Sequence, residues 1–337
     1  MKELDKTDRK VLYLLDRDAR MPQNALAKKA GLSKESLHYR IRRLRERGYI
    51  TKFYTIINTA KLGYYLFKMY IQLQNTTEET EKRMIEYLYS HPRYAWSCFS
   101  SGRWDMLVAV WSKDPIDFDD AFLMDFMGRF SDHILAKEVS MTKHNINQNR
   151  RWLYPNDEEP VSSDVGGKAE DIGLDETDRE ILRIIANNAR MPTTKIAERA
   201  ETTPAVARNR IRLMEKGGVI LAYKISFGLG TYGYEFCKSF IYLRKVNKKR
   251  FAELLEYCRM ETNILNIVTT FGSWDLELEF EVPNFGYFHK AMKEMRDAFS
   301  DIIKSYDSIS IYREYKVDYM PGCYPPIEDG AGTGKRV

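Results

Sequence analysis

The chain has 337 residues, of which 44% are hydrophobic and 30% charged, a composition typical of a globular protein with more than one compact unit. No apolar run approaches the ~20 residues needed to span a bilayer, and residues 1–5 lack the apolar core of a secretory signal. The four cysteines form no Cys-x-x-Cys pair and the five histidines show no ligand spacing, so neither a disulfide framework nor a metal site is indicated. We expect a cytoplasmic protein without a metal or cofactor.

The net charge of +5 is unevenly distributed along the chain. Residues 1–60 hold 15 Lys and Arg against 7 Asp and Glu, a balance of +8, and residues 174–230 hold 10 against 7, a balance of +3. Residues 155–173 hold one lysine against six acids, a balance of −5. A single basic run usually marks a solvated face, but two basic segments in matching positions favour surfaces that contact phosphate.

A repeat relates the two basic segments at a constant offset of 170 positions. The motifs that recur are Leu4-Asp5-Lys6-Thr7-Asp8-Arg9 (Leu174 to Arg179), Arg20-Met21-Pro22 (Arg190 to Pro192), Arg40-Ile41-Arg42 (Arg210 to Arg212) and Gly102-Arg103-Trp104-Asp105 (Gly272 to Asp275). The constant offset leaves no net insertion between the copies. The sequence therefore predicts two fused copies of one two-part module that pair as an intrachain pseudo-dimer.

The first part of each copy has the pattern of three helices. Residues 8–18 place apolar side chains on one side of a helix, Pro22 suits the first turn of a second helix, and Gly31-Leu32-Ser33 forms a turn before a basic third helix over 34–47. This order predicts a helix-turn-helix domain, whose third helix enters the major groove of DNA. The alternative is a three-helix bundle that binds protein.

The predicted DNA contacts lie at the start and along the exposed side of the third helix. In the first copy they are Ser33, Lys34, Ser36, His38, Tyr39, Arg42 and Arg43. In the second copy Thr203 caps the helix and Pro204 begins it, and the exposed set is Ala205, Ala207, Arg208, Asn209 and Arg212. Asn209 can pair with adenine through two hydrogen bonds. Glu201 replaces Gly31, which leaves the turn of the second copy open to question.

The second part of each copy alternates strands and helices. Strands are predicted over 65–74, 94–101, 106–111 and 134–142, with helices over 77–91 and 116–130, and the same order returns over 235–312. This βαββαβ order predicts an α+β fold with a ferredoxin-like sheet covered by helices on one face. The other face needs a partner, and the sister copy is the obvious candidate.

Together these motifs resemble the leucine-responsive regulator family (Lrp/AsnC) over about residues 4–153 and 174–320. The resemblance implies DNA-binding transcription regulators, dimeric or larger, whose sheet domain senses amino acids or related metabolites. It also places Gly102, Asp105, Gly272 and Asp275 beside the effector pocket. The alternative is that each Gly and Asp serves only the architecture of a hairpin turn.

The resulting division of the chain has six parts. They are a helix-turn-helix domain (1–60), a sheet domain for effector binding and dimerisation (61–153), a flexible acidic linker (154–173), a second helix-turn-helix domain (174–230), a second sheet domain (231–320) and a disordered tail (321–337).

The third predicted strand differs between the copies. In the second copy Glu277, Glu279 and Glu281 share one face, where the first copy has Leu107, Ala109 and Trp111. Unpaired carboxylates are costly inside an interface. We therefore expect this face to stay hydrated, to be ion-paired (for instance with Lys238), or to bind a cationic effector.

The function that these patterns favour is a sequence-specific transcription regulator, not an enzyme, that binds an imperfect palindrome in double-stranded DNA and responds to a small molecule such as an amino acid. The pseudo-dimer is also open to higher assembly. One alternative is an architectural protein with little sequence preference. A second is a sirohaem decarboxylase, because some decarboxylases of that kind resemble the same two-domain plan.

Overall fold

The computed structural model describes residues 4–155, 160–315 and 317–322, and each copy begins with three helices. These are α1 (Lys6–Arg17), α2 (Gln23–Ala30) and α3 (Lys34–Glu46), then α7 (Glu176–Ala186), α8 (Thr193–Arg199) and α9 (Pro204–Lys216). The repeated aspartates begin the first helix of each copy, since Asp5 accepts a hydrogen bond from the Asp8 amide at 2.7 Å and Asp175 accepts one from the Asp178 amide at 2.8 Å. Two helix-turn-helix regions are therefore present.

A two-stranded antiparallel ribbon joins the helical domains. Strand β1 (Ile50–Ile57) of the first copy pairs with β7 (Ile220–Phe227) of the second, and Tyr54 lies opposite Lys224, its own counterpart at the offset of 170. The pseudo-twofold axis therefore passes through this ribbon. Buried side chains of both helical domains form a single hydrophobic core, so the two domains are one packed unit.

The repeated Arg-Met-Pro motif lies at the contact between the copies. Arg20 Nη1 donates to the Ala189 carbonyl at 2.7 Å, and Arg190 Nη1 donates to the Ala19 carbonyl at 2.8 Å. The Ala19 amide also donates to the Tyr223 carbonyl on the sister ribbon strand at 2.8 Å. The motif thus holds the copies together by reciprocal hydrogen bonds in addition to separating two helices.

The sheet domains contribute eight strands and the helices that cover them. The strands are β2 (Tyr65–Leu73), β3 (Tyr94–Gly102), β4 (Met106–Ser112), β5 (Ile134–Gln148), β8 (Glu235–Leu243), β9 (Ile264–Phe271), β10 (Leu276–Val282) and β11 (Ile303–Glu314). The helices are α4 (Glu78–Ser90), α5 (Pro115–Phe118), α6 (Met124–Phe130), α10 (Leu229–Tyr232), α11 (Lys248–Met260) and α12 (Phe285–Ala298), with a π-helical turn between α5 and α6.

The eight strands close into one antiparallel barrel. Their order is β2-β4-β3-β11-β8-β10-β9-β5, and β5 pairs again with β2. The copies meet at two seams, β3 with β11 and β5 with β9. The predicted arrangement of separate ferredoxin-like sheets is therefore not confirmed, because the edge strands of each copy pair with those of the other and leave no open edge between them. The helices pack on the outside, and the faces without helices line the interior.

A cluster of paired charges lies inside the barrel. The Glu277 carboxylate accepts hydrogen bonds from Lys68 Nζ at 2.7 Å and Lys238 Nζ at 3.0 Å, and also from the Tyr70 hydroxyl. Lys238 reaches Glu279 at 2.9 Å as well. Two lysines and two glutamates thus neutralise one another inside the barrel, and ion pairing is one of the outcomes expected for the glutamate face.

A second buried ion pair connects the barrel to the helical domains. The Arg150 guanidinium donates to Glu281 on β10 at 2.8 Å and to Asp16 on α1 at 2.8 Å. Burial alone would lower the pKa of Arg150, but the negative charges of Glu281 and Asp16 raise it well above its usual value. Arg150 is therefore charged at every physiological pH and ties the first helix to the third strand of the second sheet domain.

The segment between the copies is anchored along its described part. Strand β6 (Ser162–Gly166) pairs with β5, and the amides of Glu170 and Ile172 donate to the carbonyls of Ala60 and Lys61 at 2.8 and 3.1 Å. Residues 160–173 are thus held against the first copy, in contrast to the flexible linker expected over 154–173. Residues 156–159 lie outside the described residues, as do residues 323–337 of the expected disordered tail. None of the helices within the described ranges is long and apolar enough to cross a membrane.

The central carboxylate leads to a stability prediction. Glu277→Gln leaves Lys68 and Lys238 with one anion fewer in a buried site, so we expect the free energy of unfolding to fall by about 3–5 kcal/mol. Chemical denaturation followed by circular dichroism measures this change. Glu86→Gln on α4 is the control, because that side chain is 63% exposed and its ion pair with Lys82 is 3.8 Å long; its effect should lie within about 0.5 kcal/mol.

The same variant has a pH signature. Burial would raise the pKa of Glu277, but the charges of Lys238 and Lys68 hold it well below its usual value of 4.5. A depressed carboxylate pKa stabilises the fold above the unfolded value, and that stabilisation is lost as the pH falls below about 4.5. The difference between the wild type and Glu277→Gln should therefore shrink between about pH 6 and pH 3. A difference that stays constant over this range would refute the assigned role.

Candidate nucleic-acid interface and effector site

The recognition helices α3 and α9 begin with side-chain caps. The hydroxyl oxygens of Ser33 and Thr203 accept hydrogen bonds from the amides of Ser36 and Val206, each at 3.2 Å. Ser33 and Thr203 thus have a structural role in starting the helix, and they remain exposed. The turn of the second copy keeps the geometry of the first, since Glu201 has φ 48° where Gly31 has φ 72°. A glutamate in this left-handed region carries strain that glycine avoids.

Most of the predicted DNA contacts face solvent. The exposed members are Lys34, Ser36, His38, Tyr39, Arg42, Ala205, Arg208, Asn209 and Arg212. The expectation that Ala207 is exposed is wrong, because it is fully buried in the shared helical core at the position that Leu37 occupies in the first copy. The exposed set lies along one side of each recognition helix and offers both donors and acceptors to base edges.

Arg43 is committed within the protein. Its guanidinium donates to Asp8 at 2.6 Å, and Arg40 donates to Asp8 at 2.6 Å and to Asp5 at 2.8 Å. The Asp8 side chain is only 2% exposed, so these bonds pin the third helix to the first. In the second copy Arg210 makes the equivalent bonds to Asp175 and Asp178 at 2.6 and 3.0 Å. The geometry therefore favours a structural role for Arg43 over the predicted phosphate contact.

Of the arginines predicted to contact DNA, those that remain available for that contact are Arg42, Arg208 and Arg212. The Arg42 side chain is 61% exposed, and its ion pair with Glu46 is 3.7 Å long. Arg212 donates to the Asn209 side-chain oxygen at 2.9 Å, which leaves the second lone pair of that oxygen and the amide nitrogen for pairing with adenine. Sequence reasoning missed the clamp made by Arg40 and Arg210, although both arginines recur with their aspartates at the offset of 170.

The Gly-x-Trp-Asp hairpins are tied into the barrel. Asp105 accepts a hydrogen bond from the Leu73 amide at 2.7 Å, and Asp275 accepts one from the Leu243 amide at 2.8 Å. Each carboxylate therefore fastens the hairpin to the end of the first strand of its own sheet. This geometry supports the turn interpretation of these aspartates. Their contact with an effector stays a prediction.

The glycines of these hairpins lie at the seams between the copies. A Cβ on Gly102, whose φ is 127°, would come within 2.7 Å of the Ser308 carbonyl oxygen. One on Gly272 would come within 3.0 Å of the Ser140 side chain. The absence of a side chain thus allows each hairpin to approach the last strand of the sister copy. Within the described ranges, no group of three His, Cys, Asp or Glu side chains is placed to hold a metal ion.

Comparison with known proteins agrees with this geometry. A family model described as a winged helix-turn-helix DNA-binding domain matches residues 4–51 and again residues 174–220. The HTH-type transcriptional regulator AldR of Mycolicibacterium smegmatis is 34% identical over 117 residues, which are 34% of this chain and 68% of that regulator. The regulator LrpA of Pyrococcus horikoshii is 32% identical over 120 residues, covering 35% of this chain and 82% of LrpA.

The chain has two winged helix-turn-helix domains joined to an α+β barrel. Both relatives are HTH-type transcriptional regulators, and each aligns with about a third of the chain, as expected when two copies are fused. The chain belongs to the Lrp/AsnC family.

One comparison corrects an expectation. The crystal structure of the siroheme decarboxylase NirDL matches 94% of this chain and 94% of its own, with a TM-score of 0.62 and 12% sequence identity. The prediction that the chain is not an enzyme is therefore wrong, because the whole two-copy architecture also occurs in an enzyme and so does not exclude that class of protein. At this identity the similarity shows a shared fold and does not transfer an activity.

The contrast between Arg42 and Arg43 is testable by stability alone. Arg43→Gln removes one of the two guanidinium groups bonded to the buried Asp8, so we expect a loss of about 1–2 kcal/mol in the free energy of unfolding. Arg42→Gln, one position earlier on the same helix, should change it by less than about 0.5 kcal/mol. Denaturant titration of both variants checks this. Equal effects would show that Asp8 does not depend on Arg43.

Proposed function

We propose that the chain is a sequence-specific transcription regulator that binds double-stranded DNA through both recognition helices. The observation that carries this proposal is the fixed relation of α3 and α9. Both helices expose polar and basic side chains, and the β1–β7 ribbon and the shared core hold their domains as one unit. A rigid pair of recognition helices suits two half-sites separated by whole turns of the duplex.

The two helices differ, and the target should differ with them. Where α3 carries His38, Tyr39 and Arg42, α9 carries Arg208, Asn209 and Arg212. Fusion keeps these unlike helices paired in every molecule. We therefore propose an imperfect palindrome with unequal half-sites, in which the more basic first copy contributes more of the affinity.

In this proposal the sheet barrel is the effector-binding domain. A small metabolite such as an amino acid would change the affinity for DNA, and the positions proposed for its binding from the family resemblance remain Gly102, Asp105, Gly272 and Asp275. Assembly of several chains on longer DNA is compatible with this function.

The DNA interface yields a quantitative prediction. Arg42→Gln and Arg212→Gln should each weaken binding to a selected genomic fragment and lower the slope of log K against log salt by about 1, as expected for the loss of one phosphate contact. Fluorescence anisotropy at several salt concentrations measures both quantities. Arg129→Gln on α6 is the control, because that arginine is exposed on the sheet domain and bonded to Asp125.

Symmetry of the operator provides a second arm of the same experiment. Fragments recovered from genomic DNA should share an imperfect palindrome, and a symmetric duplex built from either half-site should bind more weakly than the natural one. Uniform recovery of all fragments would instead support the architectural alternative. Unchanged affinity and salt slope in both arginine variants would overturn the proposed interface.

A further inference from the structure

A cavity of about 500 Å³ lies between the barrel and the helical domains. Its walls come from one end of the barrel and from the ribbon, including Tyr54 on β1 and Phe227 on β7. The opposite end of the barrel is filled by apolar side chains, among them Trp104 and Trp274 of the Gly-x-Trp-Asp hairpins. The cavity is thus distinct from the hairpins, and its size is in the range of small-molecule sites.

The facing walls of the cavity differ in polarity. Strands β2, β3 and β4 of the first sheet domain contribute an apolar wall that includes Leu66, Ala95, Trp96, Ala109 and Trp111, whereas β5 of the same domain belongs to the polar wall. The facing wall carries carboxylates and amides, because Glu279, Glu281 and Asn266 replace the residues that a second apolar wall would need. An occupant must therefore have an apolar or flat body on one side and polar groups on the other.

The polar wall exposes hydrogen-bond acceptors. Glu279 is ionised and can only accept, so Asn266 must present its amide nitrogen to Glu279, at 2.6 Å, and its oxygen to Asn147. Asn147 then donates to Asn266 at 2.8 Å, which leaves its own oxygen unused. The oxygens of Asn147, Asn145 and Thr142 have no hydrogen-bond partner among the described residues, and all three residues border the cavity.

Charges at the cavity favour a cation. Three cations border it: Lys68 and Arg150 are bonded to Glu277 and Glu281, and Lys52 donates to the Asn187 side-chain oxygen at 2.9 Å and to the Val317 carbonyl at 3.0 Å. Glu314 borders it as well, and none of the described residues forms a salt bridge with it. Its carboxylate accepts a hydrogen bond from the Trp96 indole at 3.0 Å. A carboxylate without an ion pair favours the positive charge of an ammonium group, and the oxygens on β5, across the barrel from Glu314, can accept from donors elsewhere on the ligand.

One hydrogen-bond donor also borders the cavity. The indole nitrogen of Trp111 on the apolar wall is buried and has no acceptor in the part of the chain that the structure describes. A ligand that carries a carbonyl or hydroxyl oxygen in addition to its ammonium group would satisfy it. A free amino-acid carboxylate fits less well, because acids outnumber bases among the described residues that border the cavity: Glu279, Glu281, Glu314 and Asp318 against Lys52, Lys68 and Arg150.

We propose that this cavity is a binding site for a small organic cation, a primary amine on an aromatic or apolar body with one hydrogen-bond acceptor. Glu314 binds the ammonium group, the apolar wall packs against the body, and the oxygens of Asn145, Asn147 and Thr142 accept hydrogen bonds from other donors of the ligand.

The site also bears on DNA binding, and this step rests on the proposed function. The ribbon strands that border the cavity follow directly after the recognition helices, since α3 ends at Glu46 and β1 begins at Ile50. A ligand in contact with Tyr54 and Phe227 therefore touches the element that sets the relation of α3 to α9. If the ligand changes the geometry of the ribbon, the recognition helices fit the duplex differently. The affinity for DNA then changes by the difference between the two fits.

Matched ligand pairs test the site directly, without DNA. We expect tyramine to bind the full chain in isothermal titration calorimetry and its anionic analogue 3-(4-hydroxyphenyl)propionate not to bind. Phenylalaninamide should bind more tightly than phenylalanine for the same reason. Glu314→Gln should weaken binding of the amines by about 10- to 100-fold, the usual effect of losing a charged hydrogen bond.

Two further variants serve as controls. Glu235→Gln removes an exposed carboxylate outside the cavity and should bind as the wild type does. Ala109→Leu places bulk in the apolar wall and should block the amines while Glu314 stays intact. The proposal is overturned if neither amine binds at millimolar concentration, if the anions or a carboxylate-rich uroporphyrin bind better, or if Glu314→Gln matches Glu235→Gln. Amine binding without DNA binding would leave the cavity site standing and remove the proposed function.

The pH dependence is an independent check. Desolvation by the surrounding protein raises the pKa of Glu314 to about 7, although its side chain keeps an exposed surface. The groups near it keep their charge state around neutral pH, because the pKa of Glu279 is lowered, that of Arg150 is raised well above its usual range, and those of Cys98 and Tyr319 are raised by burial. Binding of an ammonium group should therefore release a proton from Glu314, and affinity should be about tenfold weaker at pH 6 than at pH 7.5. A flat profile would contradict the role of Glu314.

Discussion

The position of Glu277 between Lys68 and Lys238 is the constraint on which the barrel depends. Both copies place a lysine at the same point of the first strand, so closing the barrel brings two like charges into its interior. The counterpart of Glu277 in the first copy is Leu107. A symmetric dimer of first copies would bury two lysines without an anion, and a dimer of second copies would add two further carboxylates at the centre. Only the unlike pair balances the charge, which is a physical reason for the two copies to share one chain.

The same asymmetry extends to both ends of the molecule. On the barrel end that faces the ribbon, Glu279 and Glu281 oppose Ala109 and Trp111, so one wall is polar and the other apolar. On the DNA-facing side, fusion pairs α3 with a different helix, α9. Arg150 connects the two regions, because its single guanidinium bonds Asp16 in a helical domain and Glu281 in the barrel. Differences between the copies are thus concentrated where a symmetric homodimer would be forced to repeat itself.

The sequence predicts the parts of this structure that depend on local pattern. The offset of 170, the helix caps at Ser33 and Thr203 and the ion-paired glutamate face all follow from residue spacing and charge. Barrel closure does not, because a strand pattern says which face is buried but not which edges pair. The clamp of Arg43 on Asp8 was missed for a related reason: an arginine off the buried stripe is equally consistent with phosphate and with a nearby carboxylate. The anchoring of residues 160–173 depends on backbone hydrogen bonds, to which their acidic composition gives no clue.

Because both regulators and a decarboxylase resemble this chain, the fold alone does not determine its function, and the side chains must do so. A fold shared at 12% identity sets where a cavity can form, and the residues that border it decide what enters. A tetrapyrrole rich in carboxylates requires cations with charge to spare, yet Lys68 and Arg150 are already neutralised by Glu277 and Glu281. An anion that paired with Lys68 or Arg150 would have to displace one of those glutamates from a buried ion pair, whereas an ammonium group can pair with Glu314, with which none of the described residues forms a salt bridge. The interior chemistry of this chain therefore selects for positive charge, in a fold that elsewhere serves an enzyme.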